Sequence, residues 1–161
     1  MTTTANTIET TQVYRVYIKA TPEAIWAAIT EPELVRQYYH ECRLETAIAA
    51  GGRWRAWSPD HTKLWIDSPV LEFDPPRRLV HAWKALYDDE CALEAESRVT
   101  WELEPEEGGY TKVTVVHDRL EGAPKTAERV SGEGWMFVLS GLKTLVETGT
   151  RLKPATDKEM E

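Results

Sequence analysis

The stretch Gly132-Glu133-Gly134-Trp135-Met136-Phe137-Val138-Leu139-Ser140-Gly141-Leu142-Lys143-Thr144-Leu145-Val146-Glu147-Thr148-Gly149 decides the architecture of this chain. Trp135, Val138, Leu139, Leu142, Leu145 and Val146 recur at the three- and four-residue spacing that puts side chains on one face of a helix, while Ser140, Lys143 and Glu147 fall elsewhere. Gly149 stands where a helix would stop. No other segment reads as a helix of this length, and what precedes it reads as strand after strand. One long amphipathic helix must then bury its apolar stripe by closing over a sheet.

Working back from that helix, period-two patterns mark the strands. Tyr110 to Asp118 and Ser97 to Glu104 alternate around a Glu106-Glu107-Gly108-Gly109 turn. Leu79-Val80-His81-Ala82-Trp83 follows the turn Asp74-Pro75-Pro76, and Asp88-Asp89-Glu90 reads as a loop. Val70-Leu71-Glu72-Phe73 and Lys63-Leu64-Trp65-Ile66 are separated by Pro69, which predicts a bulge or an edge position. Arg53-Trp54-Arg55-Ala56-Trp57 follows a Gly51-Gly52 turn. At the start, Val13 to Lys19 forms a strand with Tyr14, Val16 and Ile18 on one face. Thr21 then caps a helix with Pro22 at its first position and Ile25, Trp26 and Ile29 on its apolar side. Glu31-Pro32-Glu33 opens a second short helix reaching Tyr38 and Tyr39. The order is a strand, two short helices, a meander of about six antiparallel strands and the terminal helix, an α+β arrangement. Residues 12–152 form one domain, with flexible tails at 1–11 and 153–161.

Composition removes several classes of function. A formal net charge of −8 repels phosphate backbones, and no basic stripe offsets it, so nucleic acid is excluded as a partner. No apolar run approaches the ~20 residues that span a bilayer, and the N-terminal segment lacks a basic start and an apolar core, so the expectation is a cytoplasmic protein without membrane insertion. Cys42 and Cys91 lie far apart and read as free thiols. No set of His, Cys and carboxylates has metal-site spacing, the acidic run at Asp88 lacks an EF-hand pattern, and neither a phosphate loop nor a nucleophile elbow is present. Neither a metal nor another cofactor is expected.

Four segments together resemble the helix-grip fold of the START and Bet v 1-like superfamily, and more closely its branch related to the activator of Hsp90 ATPase. They are Ile18-Lys19-Ala20-Thr21-Pro22-Glu23-Ala24-Ile25-Trp26 through Glu33, then Gly51-Gly52-Arg53-Trp54-Arg55, then Val70-Leu71-Glu72-Phe73-Asp74-Pro75-Pro76 through Trp83, and Gly134-Trp135 through Gly149. The resemblance implies a curved antiparallel sheet wrapped around the C-terminal helix, with a ligand cavity between them. It departs from the pattern at Glu31, where an Asp usually caps, at Tyr38, where a Trp is common, and at His81, where Tyr or Phe is common. Lipid carriers, polyketide cyclases and aromatases, hormone receptors and co-chaperone domains share the scaffold, so fold alone does not settle function.

Candidate binding residues follow from strand parity and the Trp content. Leu79, His81 and Trp83 share one face, as do Val113, Val115 and His117, so both histidines should point inward among apolar neighbours. Indoles bury ~150–250 Å² each and need a partner for the N–H. The expected cavity lining is Trp26, Tyr38, Trp54, His81, Trp83, Trp101, His117, Trp135, Leu139 and Leu142. The expected activity is binding of a small hydrophobic or amphipathic molecule rather than catalysis, by a monomer or homodimer. The alternatives are a cyclase- or aromatase-like reaction with His81 or His117 as acid–base group, and a protein-interaction module for a chaperone.

Overall fold

The computed structural model describes residues 10–154; the flexible tails expected at 1–11 and 153–161 lie outside the described residues at 1–9 and 155–161. The chain runs β1 (Thr11–Ile18), α1 (Pro22–Thr30), α2 (Pro32–Val35), β2 (Arg43–Leu44), β3 (Arg53–Trp57), β4 (Leu64–Asp74), β5 (Arg78–Trp83), α3 (Asp89–Ala92), β6 (Ser97–Glu106), β7 (Tyr110–Asp118), α4 (Pro124–Arg129) and α5 (Trp135–Thr148). One antiparallel sheet holds the seven strands in the order β1-β7-β6-β5-β4-β3-β2. Strands β1 and β2 are consecutive in sequence yet sit at opposite edges. The segment between them, which includes α1 and α2, therefore has to cross the full width of the sheet, while α5 packs against β1 and α1.

Local chemistry accounts for the boundaries. The Thr21 hydroxyl accepts from the Ala24 N–H at 3.1 Å, satisfying an orphan donor at the start of α1, and Pro22 sits where no N–H is needed. Glu31 gives no side-chain cap to α2, as its length suggests. Gly149, at φ 80°, closes α5 with its N–H on the Leu145 carbonyl, a conformation an L side chain resists.

The inner face of the sheet is sealed over β5, β6 and β7, and on the outer face Val80, Ala82, Thr100 and Thr114 are buried as well. Leu79, His81, Val99, Trp101, Leu103, Val113, Val115 and His117 are all almost fully enclosed on the inner side, with the α5 residues Val138, Leu139, Leu142 and Leu145 in the same core. Outward-facing positions carry ion pairs between neighbouring strands: Arg98 with Asp118, Arg78 with Glu72 and Glu102, and Arg55 with Asp67. Pairs this exposed add little stability each.

Several boundaries differ from the sequence reading. The two strands expected on either side of Pro69 are one strand, β4, whose register shifts between Val70 and Glu72, so the proline produces a bulge rather than a break. The Asp88 loop contains the short helix α3, because the Asp88 carboxylate accepts from the N–H groups of Glu90 and Cys91 and so nucleates a turn. Helix α2 ends at Val35, and His40 and Glu41 take left-handed backbone angles. Strand β1 begins at Thr11, within the stretch assigned to a tail.

The decisive stretch also differs in one respect. Helical structure starts earlier, at Pro124, and residues 130–134 form a π-type turn before α5 resumes at Trp135, whose N–H bonds the Val130 carbonyl five residues back. Wider turns of this kind are frequent at functional sites.

Candidate functional site

Trp135, the first residue of α5, is the hub of the interior. Its ring lies 5.6 Å from Trp101, 6.0 Å from His117 and 6.3 Å from both Tyr39 and Trp83, measured between centroids, at tilted or edge-on angles that suit aromatic quadrupoles. Its indole N–H donates to His117 Nδ1 at 3.0 Å, so that nitrogen is an acceptor and the ring proton sits on Nε2. Nε2 in turn meets the Ser97 hydroxyl at 2.7 Å, which lies 3.3 Å from the Trp83 carbonyl oxygen. The chain of bonds thus runs from helix to β7, β6 and β5 and uses every polar atom of His117. Burial, reinforced by repulsion from His81 and opposed by Asp118, lowers the His117 pKa to about 3.

His81 is equally enclosed. Its Nδ1 faces the Ala82 carbonyl at 2.9 Å and must carry the proton, while burial lowers its pKa to about 4. Nε2 of His81, Nε1 of Trp83 and Trp101, and Oγ of Ser68 are sealed from solvent without a protein partner, all on the inner face of β4, β5 and β6.

Between sheet and helix lies a cavity of about 280 Å³. Its deep wall is Tyr39, Cys42, Ile66, Trp83, Trp135 and Val138, and its outer wall is His40, Trp65, Tyr87, Arg129, Val130 and Gly134. The π-type turn supplies Val130 and Gly134, and a Cβ in place of the glycine hydrogen would meet the Arg129 carbonyl oxygen at 3.6 Å and Val130 Cβ at 3.9 Å, both ordinary contacts. At the mouth, Trp65 and Tyr87 pack at 5.5 Å and His40 stacks on Phe137 at 5.7 Å. Arg129 Nε and Nη2 bond Asp88 and Glu90 at 3.0 and 2.7 Å, clasping α4 to α3 across the opening. Glu94 tightens the same junction by accepting from the Lys125 and Thr126 N–H groups at the N-terminus of α4. Burial raises the Tyr39 phenol well above its ordinary range and the Cys42 thiol to about 12, so both are neutral.

Of the ten residues expected to line the site, Trp83 and Trp135 do so. The other eight are placed elsewhere in the core. Trp26 packs edge-on to Phe73 at 5.4 Å, and Trp54 stacks on His81 at 5.7 Å. Tyr38 donates to the Ala28 carbonyl and lies against Gly141, where a Cβ would approach its own to 3.1 Å. Trp101, His81 and His117 form the layer beneath the cavity floor, and Leu139 and Leu142 fill the core under α5. Sequence reasoning missed Tyr39, His40, Cys42, Trp65, Tyr87 and Arg129. The tandem Tyr38-Tyr39-His40 carried a signal: neighbouring residues diverge by about a quarter turn or more, so when Tyr38 turns to the helix, Tyr39 is free to turn to the sheet.

A curved antiparallel sheet gripping a C-terminal helix over an aromatic cavity defines a helix-grip protein. The sequence matches, over residues 19–147, the family described as activator of Hsp90 ATPase homologue 1-like protein, and the chain belongs to that family. A comparison with curated proteins finds no match. Among solved structures, it is similar to protein MLL2253 of Mesorhizobium loti, with a TM-score of 0.69 at 24% identity, covering 84% of this chain and 96% of that one. CalU16 of Micromonospora echinospora superposes with a TM-score of 0.67 at 21% identity over 93% of this chain and 80% of its own. An Hsp90 activator of Plasmodium falciparum gives 0.67 at 18% identity, with 85% and 96% covered. These likenesses establish the shared fold.

Proposed function

We propose that the protein binds a small apolar or amphipathic molecule in the cavity under α5, in the cytoplasm and without a cofactor. The observation that carries this reading is the cavity itself: about 280 Å³ walled by aromatic rings, just under the usual size range of small-molecule sites. Its polar groups are few, and those of the deep wall are uncharged. A lipid with a long chain fits this volume less well than a compact ring compound.

A cyclase-like reaction in the same space would need an acid–base group at the wall. His117 has both ring nitrogens engaged and His81 lies outside the lining, so the geometry favours binding over catalysis by either. Family membership supports a second reading, docking of a chaperone on the outer surface, and blocking the cavity would leave that interaction intact.

Titration with N-phenyl-1-naphthylamine tests the first reading. Trp83 and Trp135 border the space, so intrinsic fluorescence should be quenched saturably with one molecule per chain. A linear, non-saturating response to this probe and to a panel of apolar compounds would show that the cavity takes no ligand.

A further inference from the structure

The Tyr39 hydroxyl separates one ligand class from another. Its neighbour Tyr38 is spent on the Ala28 carbonyl at 2.8 Å, but among the described residues the Tyr39 hydroxyl has no hydrogen-bond partner. Nor is it among the unpartnered polar atoms sealed from solvent, so it keeps open surface although the residue is only 6% exposed and lines the cavity. A buried phenol in this position offers a donor to whatever enters, and its ring is fixed by Trp54, Trp83 and Trp135 at 5.3, 6.3 and 6.3 Å.

Charge at the mouth argues against an anion. Among the described residues Arg129 is the cation of the cavity wall, and it is already paired with Asp88, Glu90 and Glu128, so a ligand carboxylate would have to compete with three carboxylates for it. The walls also favour flat molecules over chains. Tyr39, Trp83 and Trp135 inside, with His40, Trp65 and Tyr87 outside, present ring faces and edges that pack best on another ring.

We infer that the ligand is a neutral, planar aromatic compound bearing a carbonyl-type oxygen that accepts from Tyr39 Oη. This rests on the cavity-binding reading and specifies its ligand.

Three probes of one shape test it: 2-acetonaphthone, 2-ethylnaphthalene and 2-naphthoate, titrated calorimetrically into the intact protein and into Tyr39→Phe. The ratio of ketone to hydrocarbon affinity should fall about 3–10-fold in Tyr39→Phe, the value of one neutral hydrogen bond, with an unaltered circular-dichroism spectrum and thermal unfolding midpoint as the control for folding. The naphthoate should bind most weakly to the unaltered protein. An unchanged ratio in Tyr39→Phe, or tightest binding by the naphthoate, would overturn the assignment while leaving a binding cavity in place. Absence of binding by all three would remove the cavity reading as well.

Discussion

The indole N–H of Trp135 donates to Nδ1 of His117, 3.0 Å away, and so ties the first turn of α5 to the last strand of the sheet. The bond fixes the tautomer of a buried histidine and the orientation of the ring that walls the cavity. Protonating Nδ1 would set two donors against each other, which gives the depressed pKa of His117 a geometric cause beside burial.

Removal of this ring should be costly. Trp135 is 3% exposed, so Trp135→Ala is expected to destabilise by about 3–5 kcal/mol in equilibrium denaturation, the range for deleting a buried Trp. Trp135→Phe keeps most of the packing and strands His117 Nδ1, and should cost about 1–3 kcal/mol. Equal losses in the two variants would mean that the hydrogen bond, rather than packing, dominates.

Acid should destabilise the protein in a defined window. His81 and His117 have folded pKa values of about 4 and about 3, below the unfolded value of about 6.5. The unfolded chain therefore binds more protons, so the stability contributed by these groups is full above pH 6.5. It is lost as pH falls from there through about 4 and then about 3. Each histidine contributes a slope of about 1.4 kcal/mol per pH unit inside the window. His81→Phe should flatten the slope of unfolding free energy between pH 6 and 4.5 by about one proton, and an unaltered slope would show that His81 is protonated in the folded state.

The junction at the cavity mouth depends on Glu94. Its carboxylate accepts from the Lys125 and Thr126 N–H groups and from the Thr126 hydroxyl, capping α4 from a distant loop. Glu94→Ala should lower global stability by about 1–2 kcal/mol, as loss of a helix cap does. Amide exchange should rise first over residues 123–130; exchange unchanged there would mean that the clasp from Arg129 to Asp88 and Glu90 holds the helix alone.

Thiol chemistry reports on the deep wall. Cys42 is 1% exposed and its pKa is pushed up to about 12, so at pH 8 almost none of it is thiolate. Iodoacetamide should leave Cys42 unmodified in the folded protein and alkylate it upon unfolding, read by peptide mass spectrometry. Rapid native labelling would place this residue nearer solvent than its burial indicates.

Sequence by itself determined the order of the main elements, because each depends on a local rule, whereas the short β2, α3 and α4 emerge only in the structure. Period-two alternation marks β5, β6 and β7, Thr21-Pro22 marks the start of α1, and the 3.6-residue stripe from Trp135 to Val146 marks α5. Parity also placed His81 and His117 inside, since alternation along a strand leaves a side chain only two directions. What local rules could not supply was the partner of each inward group. That Trp135 would reach His117, that Tyr39 rather than Tyr38 would face the cavity, and that Arg129 would clasp Asp88 and Glu90 are matters of residues 18, 44, 41 and 39 positions apart meeting in space. The π-type turn at residues 130–134 sets the start of α5 and the helical phase of Trp135, while the crossing from β1 to β2 sets where Tyr39 arrives. A shift of one residue along a helix rotates a side chain by about 100°, and only tertiary packing chooses among such rotations.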